Sequence, residues 1–195
     1  MLWQTFAERW FESGGGNTQI LSDLEFERSR AGTGSHGDDA VSAYNLVLLG
    51  GPSANSVTRR LQSLLPVDFV PVSELSRPRR AAAEQIGAGE EGYYYGVGEC
   101  LFGPAGHALV SLGPMDEAGS GGMVVVVDGQ DYRSFVGAGE MLVDGLFDLN
   151  HWQHRQADFV IADSTFGSKG VHAVVATGFW GNRWEYVAES SYLSC

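Results

Sequence analysis

The segment Gly50-Gly51-Pro52-Ser53-Ala54-Asn55 follows the apolar run Asn45–Leu49 and precedes a helix-like stretch, Ser56–Leu65. Its two glycines permit backbone angles that other residues resist, and Ser53 or Asn55 can cap the start of the helix. Amides in such a strand–turn–helix unit can converge on an anion. A Walker lysine is missing, so a capped strand-to-helix turn is the plainer reading. Asp128-Gly129-Gln130-Asp131 closes a second apolar run, Met123–Val127. A carboxylate there would orient a polar ligand; its plainer reading is an Asp-Gly turn capping the next helix. If the two runs are parallel neighbours, Gly50, Gly51 and Asp128 meet at one sheet edge, beyond the strands' carboxyl ends. The candidate ligand-binding residues are therefore Gly50, Gly51, Ser53, Asn55, Asp128 and Asp131.

Other chemistries find less support. Gly32–Gly37 and Gly87–Gly92 match G-x-G-x-x-G, but neither lies between a strand and a helix as pyrophosphate binding requires. Glu90 and Glu91 would also repel phosphate. A serine hydrolase needs a nucleophile on a sharp turn, commonly G-x-S-x-G, and the chain has none. Ser164 follows a strand and His172 comes later, so this pair, with an unidentified acid, is the hydrolase alternative. Asp148, His151 and His154 could share a helical turn, but they lack the third or fourth ligand of a built metal site. Cys100 sits in an apolar strand and reads as a buried thiol. Trp180 and Trp184 form either a stacking platform or a cover for the sheet edge, and cover is the commoner role. No catalytic residue, metal or cofactor is assigned.

The elements that must position these residues follow from pattern and punctuation. Leu2–Phe11 has helical spacing and ends at Ser13–Gly16; Thr18–Leu21 reads as a short strand, and 27–43 as an exposed Gly-rich loop. Beyond Tyr44, strands are predicted at 45–49, 67–71, 93–97, 99–102, 107–112, 123–127, 158–162 and 171–177. Helices are predicted at 56–65, 76–86 and 131–147. Met123–Val127 offers no polar position for a solvent face, as in a strand covered on both sides. The expected fold class is α/β: a mixed, mostly parallel flavodoxin-like or Rossmann-like sheet flanked by helices. The division is 1–43, a connector helix and flexible loop, and 44–195, the α/β domain.

Bulk composition narrows the partners. At 195 residues the chain can bury one sizeable core, and 44% hydrophobic content excludes disorder throughout. Twenty-four acidic against 12 basic residues give a formal charge of −12, which repels phosphate backbones and anionic lipid. Nucleic acid and membrane are thus not expected as partners. Met1–Glu12 lacks the apolar stretch of a signal peptide, so the chain taken alone is expected to stay where it is made. Two cysteines, Cys100 and Cys195, allow one disulfide but decide no compartment.

Three segments in order, Asn17–Asp23, Asn45–Asn55 and Gly178–Trp184, with the strand and Asp-Gly turn Val124–Asp131 between the last two, carry a resemblance. They resemble the C-terminal region of large secreted microbial and fungal α/β-hydrolase-like proteins related to prolyl oligopeptidases, over about residues 17–184. The resemblance implies an accessory flavodoxin-like sheet whose partner is a hydrolase core domain in the same parent chain. The family's nucleophile would lie on that core, so no catalytic residue is carried over. Leu2–Phe11 would be the connector, and the location would be extracellular if the parent is secreted. The leading expectation is an accessory, non-catalytic domain for docking or substrate positioning. The alternatives are a stand-alone serine hydrolase and a small-ligand binding module.

Overall fold

The computed structural model describes residues 19–32, 45–78, 92–103, 106–116, 122–144 and 157–195, with the isolated positions 4, 7 and 8. Most of the helix predicted at 2–11, the loop beyond residue 32, most of the helix predicted at 76–86, both G-x-G-x-x-G segments for the most part, and Asp148, His151 and His154 lie outside these residues.

The first described helix, α1 (Asp23–Gly32), replaces part of the predicted loop, and no strand forms at Gln19–Leu21. Its start is a capping box: Glu25 N donates to Ser22 Oγ at 3.2 Å, and Ser22 N donates to Glu25 Oε2 at 2.9 Å. Strand β1 (Leu46–Leu49) runs through the glycine turn into α2 (Ser56–Leu61). Asn55 is the N-cap of α2, its Oδ1 accepting from Val57 N at 2.9 Å and Thr58 N at 3.1 Å. Asp23 ties the helices together, its Oδ2 accepting from Ser56 N at 3.0 Å.

There follow β2 (Asp68–Pro71), β3 (Tyr93–Val97), β4 (Cys100–Phe102), β5 (His107–Pro114) and β6 (Met123–Gly129). Then come α3 (Tyr132–Asp144), β7 (Phe159–Asp163), the single-turn α4 (Phe166–Lys169), β8 (Val174–Gly178) and β9 (Tyr192–Leu193). Six strands form one sheet in the order β1-β6-β5-β7-β8-β9, and β2-β3-β4 form a second.

This order overturns the mostly parallel, flavodoxin-like or Rossmann-like sheet. Among the described residues only β1 and β6 pair in parallel; β5 with β6, β5 with β7, β7 with β8 and β8 with β9 are antiparallel, as is the second sheet. Connection length is the physical reason. A parallel return needs a crossover of about a dozen residues or more, whereas residues 115–122 alone join β5 to β6. Between β7 and β8 lie only residues 164–173, which form a turn, α4 and a 3₁₀ turn at Gly170–Ala173. His172 is therefore in that turn and not in the strand predicted from Val171.

The apolar strands misled because this antiparallel sheet is covered on both faces. On one face α3 sets Ala138 and Met141 against Ala108, Val110, Val127, Val160 and Ala162. On the other, α2 and Phe26 of α1 cover Leu48, Val124 and Val126. The second sheet completes that face, placing Tyr95, Val97 and Phe102 over Leu109, Phe159, Ile161 and Ala176. Residues alternate between the two covers along the central strands, and both covers are largely apolar. That consumes the polar positions that normally mark an antiparallel strand.

Val126 is wholly buried and Val125 partly so. Val126→Ala is expected to cost about 1–4 kcal/mol, through lost burial and the cavity left behind. Val125→Ala is expected to cost less. Chemical denaturation of both variants checks the order.

Candidate functional site

The parallel pair builds the rim. β1 and β6 are in register from Leu46↔Val124 to Leu49↔Val127, and Gly50 N extends the ladder by donating to Val127 O at 2.9 Å. Gly50 then turns the chain with φ +101°, which only glycine adopts without strain. Gly51 is thereby brought against Asp128, the residue after Val127.

Asp128 is only 3% exposed, and its carboxylate is fully engaged. Oδ1 accepts from Gly51 N at 2.7 Å. Oδ2 accepts from Tyr93 Oη at 2.6 Å and from Tyr95 Oη at 2.8 Å. Both tyrosines stand on β3, two residues apart and so on one face, with the Phe69 ring edge-on to each. Burial, then the Asp128 charge, holds both phenols far above the ordinary tyrosine range. They therefore stay protonated and keep donating. The Ser53 side chain also reaches the Tyr93 hydroxyl.

Two residues on, Gln130 repeats the connection through its amide. Nε2 donates to Tyr93 O at 3.0 Å and Phe102 O at 3.1 Å, and Oε1 accepts from His107 N at 3.2 Å. Asp128 and Gln130 together clasp the end of the second sheet to the first.

The structure therefore brings Gly50, Gly51, Ser53 and Asp128 together, with Asn55 one turn away at the α2 cap. Asp131 serves a different purpose. Its Oδ1 accepts from Ser134 N at 2.8 Å, at the start of α3, and its Oδ2 from Gly106 N at 3.0 Å. Partial burial pushes its carboxyl up, but the Ser134 and Gly106 donors outweigh this and hold it below the usual range.

The rim's donors are committed inside the chain. Ala54 N and Asn55 N donate to Gly51 O; Ser56 N donates to Asp23; Val57 N and Thr58 N donate to Asn55. Thr58 Oγ1 donates to Gly50 O at 2.8 Å, and Pro52 has no N–H to offer. An anion arriving here would meet few unengaged amides and a buried carboxylate. The turn thus has the sequence of an anion cradle and the bonding of a structural joint.

The hydrolase alternative gains nothing from the geometry. Ser164 and His172 are both exposed, and no hydrogen bond joins them. The neighbouring Asp163 is occupied by Thr165, whose amide donates to Oδ1 at 2.7 Å and whose hydroxyl also bonds it closely. Partial burial raises that carboxyl, but the Thr165 donors and the Lys169 charge bring it below the usual range. Among the described residues no group of three or more His, Cys, Asp or Glu is arranged to hold a metal ion. Among them, too, no helix is long and apolar enough to cross a membrane.

Trp180 is part of the core and no platform. It stacks on Phe159 with ring centroids 4.3 Å apart, and its Nε1 donates to Leu112 O at 3.1 Å. Cys100 is no free thiol: it is joined to Cys195, with the Cα atoms 5.8 Å apart.

Sequence reasoning missed Tyr93, Tyr95 and Gln130 as partners of the rim. The signal for the tyrosines was present in their i, i+2 spacing on a strand, which puts two hydroxyls on one face. An aspartate at the end of an otherwise apolar strand needs such donors.

Comparison with protein-family models, with curated proteins and with solved structures finds no match to this chain. The resemblance to hydrolase-associated regions rests on its quoted segments alone. The flavodoxin-like sheet on which a hydrolase-associated reading leaned is replaced by the mixed, mainly antiparallel sheet above.

Proposed function

We propose that this domain is an accessory, non-catalytic unit that acts by docking or by positioning a substrate for a neighbouring domain. The supporting observation is the engaged rim. The residues with the best spacing for chemistry bond to one another, with Asp128 satisfied by Gly51, Tyr93 and Tyr95. A buried carboxylate whose oxygens are already taken by three donors of its own chain is closed to an arriving substrate. No hydrogen bond ties the exposed Ser164 to His172 among the described residues, and an unactivated serine hydroxyl is a weak nucleophile.

The test is incubation of the chain with a fluorophosphonate probe, followed by intact-mass measurement. The expected result is no stoichiometric adduct. Labelling of Ser164 that disappears in Ser164→Ala would establish the hydrolase alternative instead.

A further inference from the structure

We infer that the Cys100–Cys195 bond is a redox-operated latch that holds β9 on the edge of β8. β9 is the outermost strand of the six-stranded sheet and contains only Tyr192 and Leu193. It is held by the pairs Ala176↔Leu193 and Thr177↔Tyr192, and by Ser194 N donating to Val175 O at 2.9 Å. Tyr192 is 55% exposed, so its side chain adds little grip.

The preceding stretch is anchored quite differently. Trp180 N donates to Asp158 Oδ2 at 2.9 Å while its ring stacks in the core. Tyr186 bridges back to Trp180 and lays its ring against Gly98, at the turn between β3 and β4. A 3₁₀ turn at Ala188–Ser190 separates that anchored stretch from β9. Among the described residues, what retains the chain beyond the turn is a short ladder, the half-buried Leu193 and the disulfide. The disulfide runs to the other sheet, because Cys100 opens β4.

Cys195 is exposed and Cys100 buried, so a reductant reaches the Cys195 sulfur first. A thiolate of a dithiol reductant bonds to that sulfur; the S–S bond breaks, and the Cys100 sulfur leaves with the electron pair and takes up a proton. The reductant's second thiol then attacks the mixed disulfide. Cys195 is released as a thiol and the reductant becomes an internal disulfide. With the latch open, residues 192–195 leave β8, and the hinge is the 3₁₀ turn. The outer edge of β8, including the Val175 carbonyl, becomes a free strand edge that another strand can pair.

The experiment is backbone ¹⁵N relaxation on the full chain, oxidised, treated with a dithiol reductant, and as Cys195→Ser. The variant opens the latch without any reductant. Residues 192–194 are expected to have order parameters of about 0.85 when oxidised, falling below about 0.6 in the other two samples. Amide shifts of β5 and β7 are expected to stay in place. Rigid residues 192–194 in the reduced chain or in Cys195→Ser would overturn the latch. So would loss of dispersed signals throughout either sample, since release would then not be confined to β9.

Discussion

Asp128→Ala is expected to destabilise the fold by about 3–5 kcal/mol, because it strands buried donors on both sheets at once. Gly51 N, Tyr93 Oη and Tyr95 Oη lose their acceptor together, and Tyr95 is wholly buried, with no water to turn to. A buried donor left unpaired costs about 1–3 kcal/mol, and a bond to a charged acceptor is worth about 1.5–3 kcal/mol. These losses overlap, so the expectation lies below their sum. Asp128→Asn keeps the volume and one carbonyl oxygen and is expected to lose about half as much. Tyr95→Phe in the Asp128→Ala background removes one of the stranded donors, so the double variant is expected to lose less than the two single losses added. Guanidinium denaturation of the set measures this. A loss under about 1 kcal/mol for Asp128→Ala would show that the Asp128 bonds contribute little to holding the two sheets together.

Gly129→Ala is expected to be comparably severe, at about 3 kcal/mol or more, by a different mechanism. A Cβ at this position runs into Phe135 N, Phe135 Cα and the Ser134 carbonyl carbon. These are backbone atoms of the first turn of α3, which no rotamer change can move aside. Relief requires α3 to lift from the face where Ala138 and Met141 meet Val110 and Val127. Gly170→Ala is the control. It has φ +54° but nothing within 4 Å of the added carbon, so only backbone strain, about 1–3 kcal/mol, applies. Calorimetric melting of the two variants separates collision from conformational strain, and equal losses would refute the collision with α3.

The two apolar runs were legible as buried strands, since Leu46–Leu49 and Met123–Val127 leave no polar position for water. The Gly50-Gly51 turn and the meeting of Gly51 with Asp128 followed from reading those two strands as parallel neighbours. What was not legible was the rest of that sheet, beyond β6. β5 and β7 bury both faces, so their sequence carries no alternation to betray antiparallel pairing. The short 115–122 connection was the available clue. The Asp128 donors were hidden by distance, lying 35 and 33 residues upstream on another sheet. α1 was hidden by composition alone. Ser22-Asp23-Leu24-Glu25 is a capping box in plain view, but the polar sequence after it outweighed that signal. Whether Cys100 and Cys195 pair depends on β9 returning beside β4, which neither residue's neighbours encode.

The separation of 77 positions from Gly51 to Asp128 also bears on the order of events as the chain folds. β3 with β4 and β5 with β6 join segments adjacent in the chain, so each closes a short loop. β1 must instead find β6 across the whole second sheet and β5, and closing that span is entropically slower. The joint at Asp128 is then expected to form late, after the hairpins have collapsed, and to be absent from the rate-limiting transition state. Interactions absent from that state are felt in escape from the native basin rather than in arrival. Weakening the joint would shorten the lifetime of the folded molecule while leaving its refolding rate nearly untouched.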